Sequence, residues 1–173
     1  KNKGPHLLLE ALQGWFSNYP DWKCAFVGGS KHGDYHFQSD YERAFRQQCS
    51  GLGAQVEVTG YLPNAEVTLL MQQASVVVVP SIWQEPFGIV AAEALAHGAI
   101  LLASKVGGLA DIVAGRGVVL SECTAASIKL ELQRIVTDAH HRQNLLNRAW
   151  QTFDLTAKKQ AMEHDRIREL CII

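Results

Sequence analysis

The sequence predicts an α/β protein, a Rossmann-like doubly wound parallel sheet with helices on both faces. One observation is a strand–loop–helix–strand unit in the middle of the chain: Val76 to Val79 is an apolar run that stops at Pro80, and Ile100 to Ala103 is a second that breaks on Gly107-Gly108. Between them lie a polar loop and a helix that starts no earlier than Phe87, because Pro86 is best tolerated in a first turn, and ends at Gly98. Another is that the earlier strand-like runs also empty into glycine, as expected where ligands gather at the carboxyl ends of parallel strands. Size supplies the third: 173 residues at 47% hydrophobic and 19% charged fit one domain, residues 1–173, with a real core.

Taken in order, Pro5 stands near the first turn of a helix over His6 to Leu12, with apolar residues at helical spacing. Lys23 to Gly29 is a buried parallel strand ending in a glycine turn. Ser30 to His36 follows as a loop over the edge of the site, with His32 and His36 as surface residues. Asp40 to Leu52 is helical, with Tyr41, Ala44, Phe45 and Cys49 on one face. Gln55 to Thr59 is a short strand stopped by Gly60, and Asn64 caps a helix over Ala65 to Gln73. Ser75 to Pro80 is expected as the most central strand. After Gly108 come a short helix over Leu109 to Ala114, an edge strand ending at Leu120, and amphipathic helices over Thr124 to Thr137 and His140 to Phe153. In the second of these Leu145, Leu146, Ala149 and Trp150 share a core face. His140 and His141, about 100° apart on a helix, do not converge on a metal. Thr156 to Leu170 is charged and weakly amphipathic.

Composition excludes several classes. A formal charge of −1 lacks the basic surface of a nucleic-acid binder. No apolar stretch approaches the roughly 20 residues of a spanning helix, and the amino terminus lacks the apolar segment of a signal peptide. Cys24, Cys49, Cys123 and Cys171 are single and widely spaced, which fits reduced thiols in a cytosolic protein better than a zinc site.

Chemistry gathers on the loop before the middle helix. Backbone N–H groups of Phe87, Gly88 and Ile89 lack intrahelical partners, so with the helix dipole they form a site for an anion such as a phosphate. Gly88 leaves room for a ligand to approach the backbone. Glu85 stands at the mouth of that site, and Glu93 lies further along the same edge, on a crowded helix face. Ionised carboxylates accept hydrogen bonds, often from paired donors such as vicinal sugar hydroxyls. Sugar, phosphate and ribose in a row suit this layout.

Glu85 and Glu93, with seven residues between them and Pro86-Phe87-Gly88 after the first, resemble the E-x7-E motif of retaining glycosyltransferases of the GT-B fold, family 4 type. The run Ala103 to Val113 resembles that family's second donor loop, with Asp111 where the family usually has Glu. The resemblance spans most of the chain and implies the donor-binding, carboxyl-terminal half of a two-domain enzyme. The implied partners are a nucleoside-diphosphate sugar and an amino-terminal acceptor domain of the same protein. No metal or cofactor is implied. Glu85 and Lys3 are then the catalytic residues: Glu85 orients the transferred hexose, and Lys3 reaches the pyrophosphate. Donor binding falls to Gly29, Tyr61, Leu62, Pro86, Phe87, Gly88, Ile89, Glu93, Lys105, Gly107 and Gly108. Tyr61 and Leu62 face the nucleobase, although Tyr61 reads equally well as a half-buried aromatic. The family also implies an Arg and a strand upstream of Lys1, so the chain is expected to begin just inside its domain. Its usual setting is bacterial surface or lipid-linked glycan assembly, in the cytoplasm, with peripheral association at the inner face of the membrane through the acceptor domain. Two other readings remain open on the residues alone: a nucleotide-sugar epimerase on the same fold, and a non-catalytic nucleotide-sugar-binding module.

Overall fold

The computed structural model describes residues 2–29 and 39–153. The expectations for the loop with His32 and His36, for Thr156 to Leu170 and for Cys171 lie outside the described residues. Helix α1 (Pro5–Ala11) opens on Pro5, where the missing N–H would have had no partner. A single turn not expected from sequence, α2 (Trp15–Asn18), follows a left-handed Gly14 and buries Trp15. After β1 (Cys24–Val27) comes α3 (Asp40–Ser50), whose amino terminus is closed by a capping box. Ser39 Oγ accepts from the Glu42 N–H, while the Glu42 carboxylate accepts from the Ser39 N–H. The chain then alternates through β2 (Val56–Gly60), α4 (Asn64–Gln73), β3 (Val76–Val79), α5 (Ile89–Ala96), β4 (Ile100–Ser104), α6 (Leu109–Val113) and β5 (Val118–Leu120). Helices α7 (Ala125–Thr137) and α8 (Ala139–Thr152) follow.

Among the described residues all strand pairings are parallel, in two groups: β1 with β2, and β3-β4-β5 in that order. Side chains alternate across the second group with the two-residue period of a strand. Val76, Val78 and Leu102 pack with α1, Trp15, Phe45 and α7 on one side. Val77, Val79, Leu101 and Ala103 pack with α5, α6 and Ala149 of α8 on the other. This is the doubly wound, two-faced arrangement that the alternation of elements predicts. No helix among the described residues is long and apolar enough to cross a membrane.

The expected central position of the valine strand is corrected. β3 pairs on one side only, among the described residues, and its four valines are all half-buried. β4 is bonded on both edges and buried throughout, so it is the central strand. Asn64 is not a cap but the first residue of α4, because extended Pro63 already supplies its carbonyl to Glu66 and Val67. In α3 the buried line is Phe45 and Cys49 at a spacing of four, and Ala44 falls outside it. In α8 Leu145 and Ala149 define the core line in the same way, which turns Trp150 out to solvent at 79% exposed. The carboxyl end of α5 is as expected. Gly98 has φ of 80°, and the pair Gly98 N–H to Leu95 O and Ala99 N–H to Ala94 O closes the last turn.

Candidate functional site

The loop from Pro80 to Gly88 leaves the carboxyl end of β3 and is held from several sides. Ser104, the last residue of β4, is fully buried and donates its hydroxyl to Ser81 O at 2.6 Å. The Cys123 thiol donates to Pro80 O at 3.4 Å. From the start of the chain, Asn2 O accepts the Ile82 N–H at 2.9 Å. Gly4, at φ 66°, lies so close that a Cβ there would fall 1.9 Å from Pro80 O. Only glycine allows that approach, and it is what delivers Lys3 to the site.

Along the loop Ser81-Ile82-Trp83-Gln84-Glu85, which bends at Trp83, the side chains of Ser81 and Trp83 both reach Glu85. Glu85 is 6% exposed, and its Oε1 accepts three hydrogen bonds: from Lys3 Nζ at 2.6 Å, Ser81 Oγ at 2.5 Å and Trp83 Nε1 at 3.0 Å. Burial pushes the Glu85 carboxyl up, but the bonds from Lys3, Ser81 and Trp83 outweigh it and hold the group below its ordinary value of 4.5. Glu85 is therefore a fixed carboxylate at neutral pH. The ammonium of Lys3 also lies 5.0 Å from the Trp83 ring centroid, a cation–π contact, while its side chain stays 65% exposed. An ammonium has three N–H groups, so two remain for a further oxygen.

Gly107 and Gly108 support the site by contact with backbone. A Cβ at Gly107 would meet Glu85 O at 2.2 Å, and one at Gly108 would meet Pro86 O at 2.4 Å. The Gly108 N–H donates to Glu85 O at 2.7 Å. Lys105, between β4 and this turn, is exposed.

The start of α5 respects the bound set by Pro86 and falls two residues beyond Phe87. Gly88 is its cap, at φ 91°, and the helix begins at Ile89. Phe87 precedes it, so the open donors of the first turn are the N–H groups of Gly88, Ile89 and Val90, none of which reaches a carbonyl among the described residues. Gly88 is small for another reason as well: a Cβ there would press on Leu109 Cδ1 at 3.1 Å, so the glycine seats α5 against α6. Pro86, Phe87, Ile89 and Val90 are exposed, an apolar rim around the loop.

Glu93 is not on a crowded face. Ala91, Ala94 and Leu95 take the buried side of α5, and Glu93 points away from it, exposed. It lines a shallow cleft with Asn64, Val67, Thr68 and Met71 of α4 and with His97. Tyr61 and Leu62, both half-buried, lead from β2 directly into that α4 wall. Gly29 lies beside them, its would-be Cβ 3.7 Å from Tyr61 N. The site residues thus fall in two groups at the carboxyl ends of the strands. Lys3 and the Gly107-Gly108 turn both touch Glu85. Gly29, Tyr61 and Leu62 stand at the ends of β1 and β2, and Glu93 faces α4.

Sequence reasoning missed Ser81, Trp83 and Ser104. No spacing rule finds them, because the chain has left β3 and bends at Trp83, and Ser104 belongs to another strand; their contacts come from the path of the loop.

Residues 1–152 match the family model described as glycosyl transferases group 1. An uncharacterised glycosyltransferase of Methanocaldococcus jannaschii is 35% identical over 105 residues, 58% of this chain but only 27% of that protein. Among solved structures, the Anabaena protein HepE in complex with UDP and glucose superposes with a TM-score of 0.75 at 24% identity, over 99% of this chain and 45% of that one. The carboxyl-terminal domain of a group 1 glycosyl transferase from Francisella tularensis does so with a TM-score of 0.71 at 23% identity, over 90% of this chain and 82% of that one. The fold is that of a Rossmann-like domain of GT-B glycosyltransferases.

Proposed function

The chain belongs to the glycosyl transferases group 1 family, and on that premise we propose that it is the donor-binding part of a retaining, metal-independent hexosyltransferase of family 4 type that uses a nucleoside-diphosphate sugar. The observation that carries the reading is the carboxylate of Glu85. It is buried, charged and fixed by Lys3, Ser81 and Trp83, immediately before the open N–H groups of α5.

In the proposed reaction the bond from the anomeric carbon to the diphosphate oxygen breaks, the acceptor oxygen bonds to the anomeric carbon on the same face of the sugar, and the acceptor proton passes to the departing diphosphate oxygen. Positive charge grows on the sugar ring as negative charge grows on the departing diphosphate. Fixed donors favour that charge separation because they need no reorganisation as it develops. The two remaining N–H groups of Lys3 and the first turn of α5 serve the diphosphate, with Lys105 as an outer cation. Glu85 orients the sugar through a hydroxyl. Glu93 takes the ribose in the cleft against α4, and the backbone at Tyr61 and Leu62 meets the base. Gly107 and Gly108 act by holding the Glu85 backbone in place. The chain spans about a quarter of the length of the curated relative described above, so we place the acceptor site in a second, amino-terminal domain. Its acceptor is a bacterial surface or lipid-linked glycan, and the enzyme works in the cytoplasm at the inner face of the membrane.

The test is a calorimetric titration of the chain with UDP, GDP and ADP beside Glu93→Ala. Saturable binding of one nucleotide, weakened at least several-fold in the variant, supports the donor site and identifies its base. Absence of binding by all three to the folded chain removes the donor-site reading.

A further inference from the structure

The three hydrogen bonds to Glu85 all end on the same oxygen. Lys3, Ser81 and Trp83 approach Oε1 at 2.6, 2.5 and 3.0 Å, and no described residue donates to Oε2. Nor is Oε2 sealed from solvent, since it is not among the buried polar atoms without a partner. A carboxylate has about four acceptor positions on two oxygens. Here the protein fills one oxygen and leaves the other open.

Resting on the donor-sugar reading above, we propose that Glu85 reads a single hydroxyl of the transferred sugar through Oε2, and that Ser81 and Trp83 are the positioning residues that make it a one-point receptor. The sequence suggests a different grip, with both carboxylate oxygens spanning a vicinal pair of hydroxyls. The geometry points away from it because Oε1 already carries three donors. Trp83 is well placed for the positioning role. Its indole N–H is held by Glu85, the Lys3 ammonium lies over its ring, and the residue is 40% exposed, so it ties carboxylate to cation without being part of the core. Ser81 is fully buried, and its own carbonyl is fixed by Ser104 on β4, so the central strand sets the orientation of the carboxylate through one intermediate residue.

The consequence is a specificity rule. A receptor with one acceptor oxygen rejects a sugar that lacks, or misplaces, one hydroxyl, and is indifferent to that hydroxyl's neighbour. A hydrogen bond to a charged group is worth roughly a ten- to hundredfold change in affinity.

The probes are whichever of UDP, GDP and ADP titrates the chain, its glucose conjugate, and that conjugate deoxygenated in turn at each ring hydroxyl. Each is titrated against the wild type and Glu85→Gln, so that only penalties abolished in the variant are ascribed to Glu85. The expected result is one such coupled hydroxyl, with a penalty of at least about tenfold in the wild type. Trp83→Phe keeps a ring under Lys3 but removes the N–H. It and Ser81→Ala should weaken the conjugate several-fold more than the diphosphate alone. Two coupled hydroxyls, or none, overturn the one-point receptor. Equal weakening of conjugate and diphosphate in Trp83→Phe overturns the positioning role, since a structural defect alone moves both together. Failure of every diphosphate to bind the wild type strikes the donor-site reading itself, and this inference falls with it.

Discussion

Replacing Gly107 by alanine would set a methyl carbon 2.2 Å from the Glu85 carbonyl oxygen and 2.8 Å from its amide nitrogen. Gly98→Ala provides the matched control: its φ is +80° and nothing lies within 4 Å of the new methyl. A left-handed conformation costs an L-residue about 1–2 kcal/mol, partly offset by the smaller entropy an alanine loses on folding. Gly98→Ala should therefore destabilise by about 1 kcal/mol. Gly107→Ala carries the same penalty at φ +51° and must also push the Glu85 peptide away by close to 1 Å. That movement breaks the 2.7 Å bond from Gly108 N–H to Glu85 O, worth about 1 kcal/mol, and adds an overpacking penalty of about 1–3 kcal/mol. The expected total is about 3–5 kcal/mol. Urea unfolding followed by tryptophan fluorescence measures both variants, and sugar-nucleotide titration shows whether Glu85 has moved. If Gly107→Ala falls within 1 kcal/mol of Gly98→Ala and keeps full binding, the contact between the two-glycine turn and Glu85 has been misjudged.

Other expectations follow from the same contacts. The Glu85 pKa is depressed in the folded state, so its contribution to stability is complete above the unfolded value of 4.5 and is lost as pH falls through the lower, folded value. Urea midpoints taken from neutral pH into the acid range should fall below pH 4.5 in the wild type, and less steeply in Glu85→Gln. At the amino terminus of α7, Thr124 Oγ1 accepts the Ser127 N–H, so Thr124→Ala should cost about 1 kcal/mol. Asn64→Ala, which removes no cap, should stay within about 0.5 kcal/mol. Burial first and the neighbouring Cys49 second push the Cys24 thiol up to about 12. Iodoacetamide at pH 8, with peptide mapping, should leave Cys24 unmodified until the chain is denatured.

Much of the fold was legible because several elements are bounded by a residue with a physical reason to stop them. Pro80 ends β3, Gly60 ends β2, and left-handed Gly98 ends α5. Sheet order was not legible: Val76 to Val79 and Ile100 to Ser104 are similarly apolar, and only hydrogen bonding shows that the second is central. Local competition also decided cases that composition leaves open. Pro63 displaced Asn64 as cap, and the spacing of Leu145 and Ala149 turned Trp150 outward. At the site, the glutamate spacing and the later glycine pair directed attention to two loops that lie in contact in the structure. What the spacing did not carry was contact between distant segments. That Lys3 binds Glu85, and that Gly107 and Gly108 press on backbone around it, depends on how elements dock. Glu93 shows the reverse limit, since its exposure follows from which face of α5 meets the sheet.

The bond between Lys3 and Glu85 joins residues 82 apart in sequence. Closing so long a loop is entropically unfavourable until α1 and β3 are already docked, so this corner of the molecule assembles late in folding. A corner held by a few long-range bonds is also an early place to open. The Ile82 amide, whose acceptor is Asn2 O, is the natural reporter of that opening: it should exchange with solvent when residues 2–4 part locally from the loop, while amides inside β4 wait for global unfolding. The receptor and the core on which it stands are then two units of different lifetime, and the contacts of residues 2–4 set the shorter one.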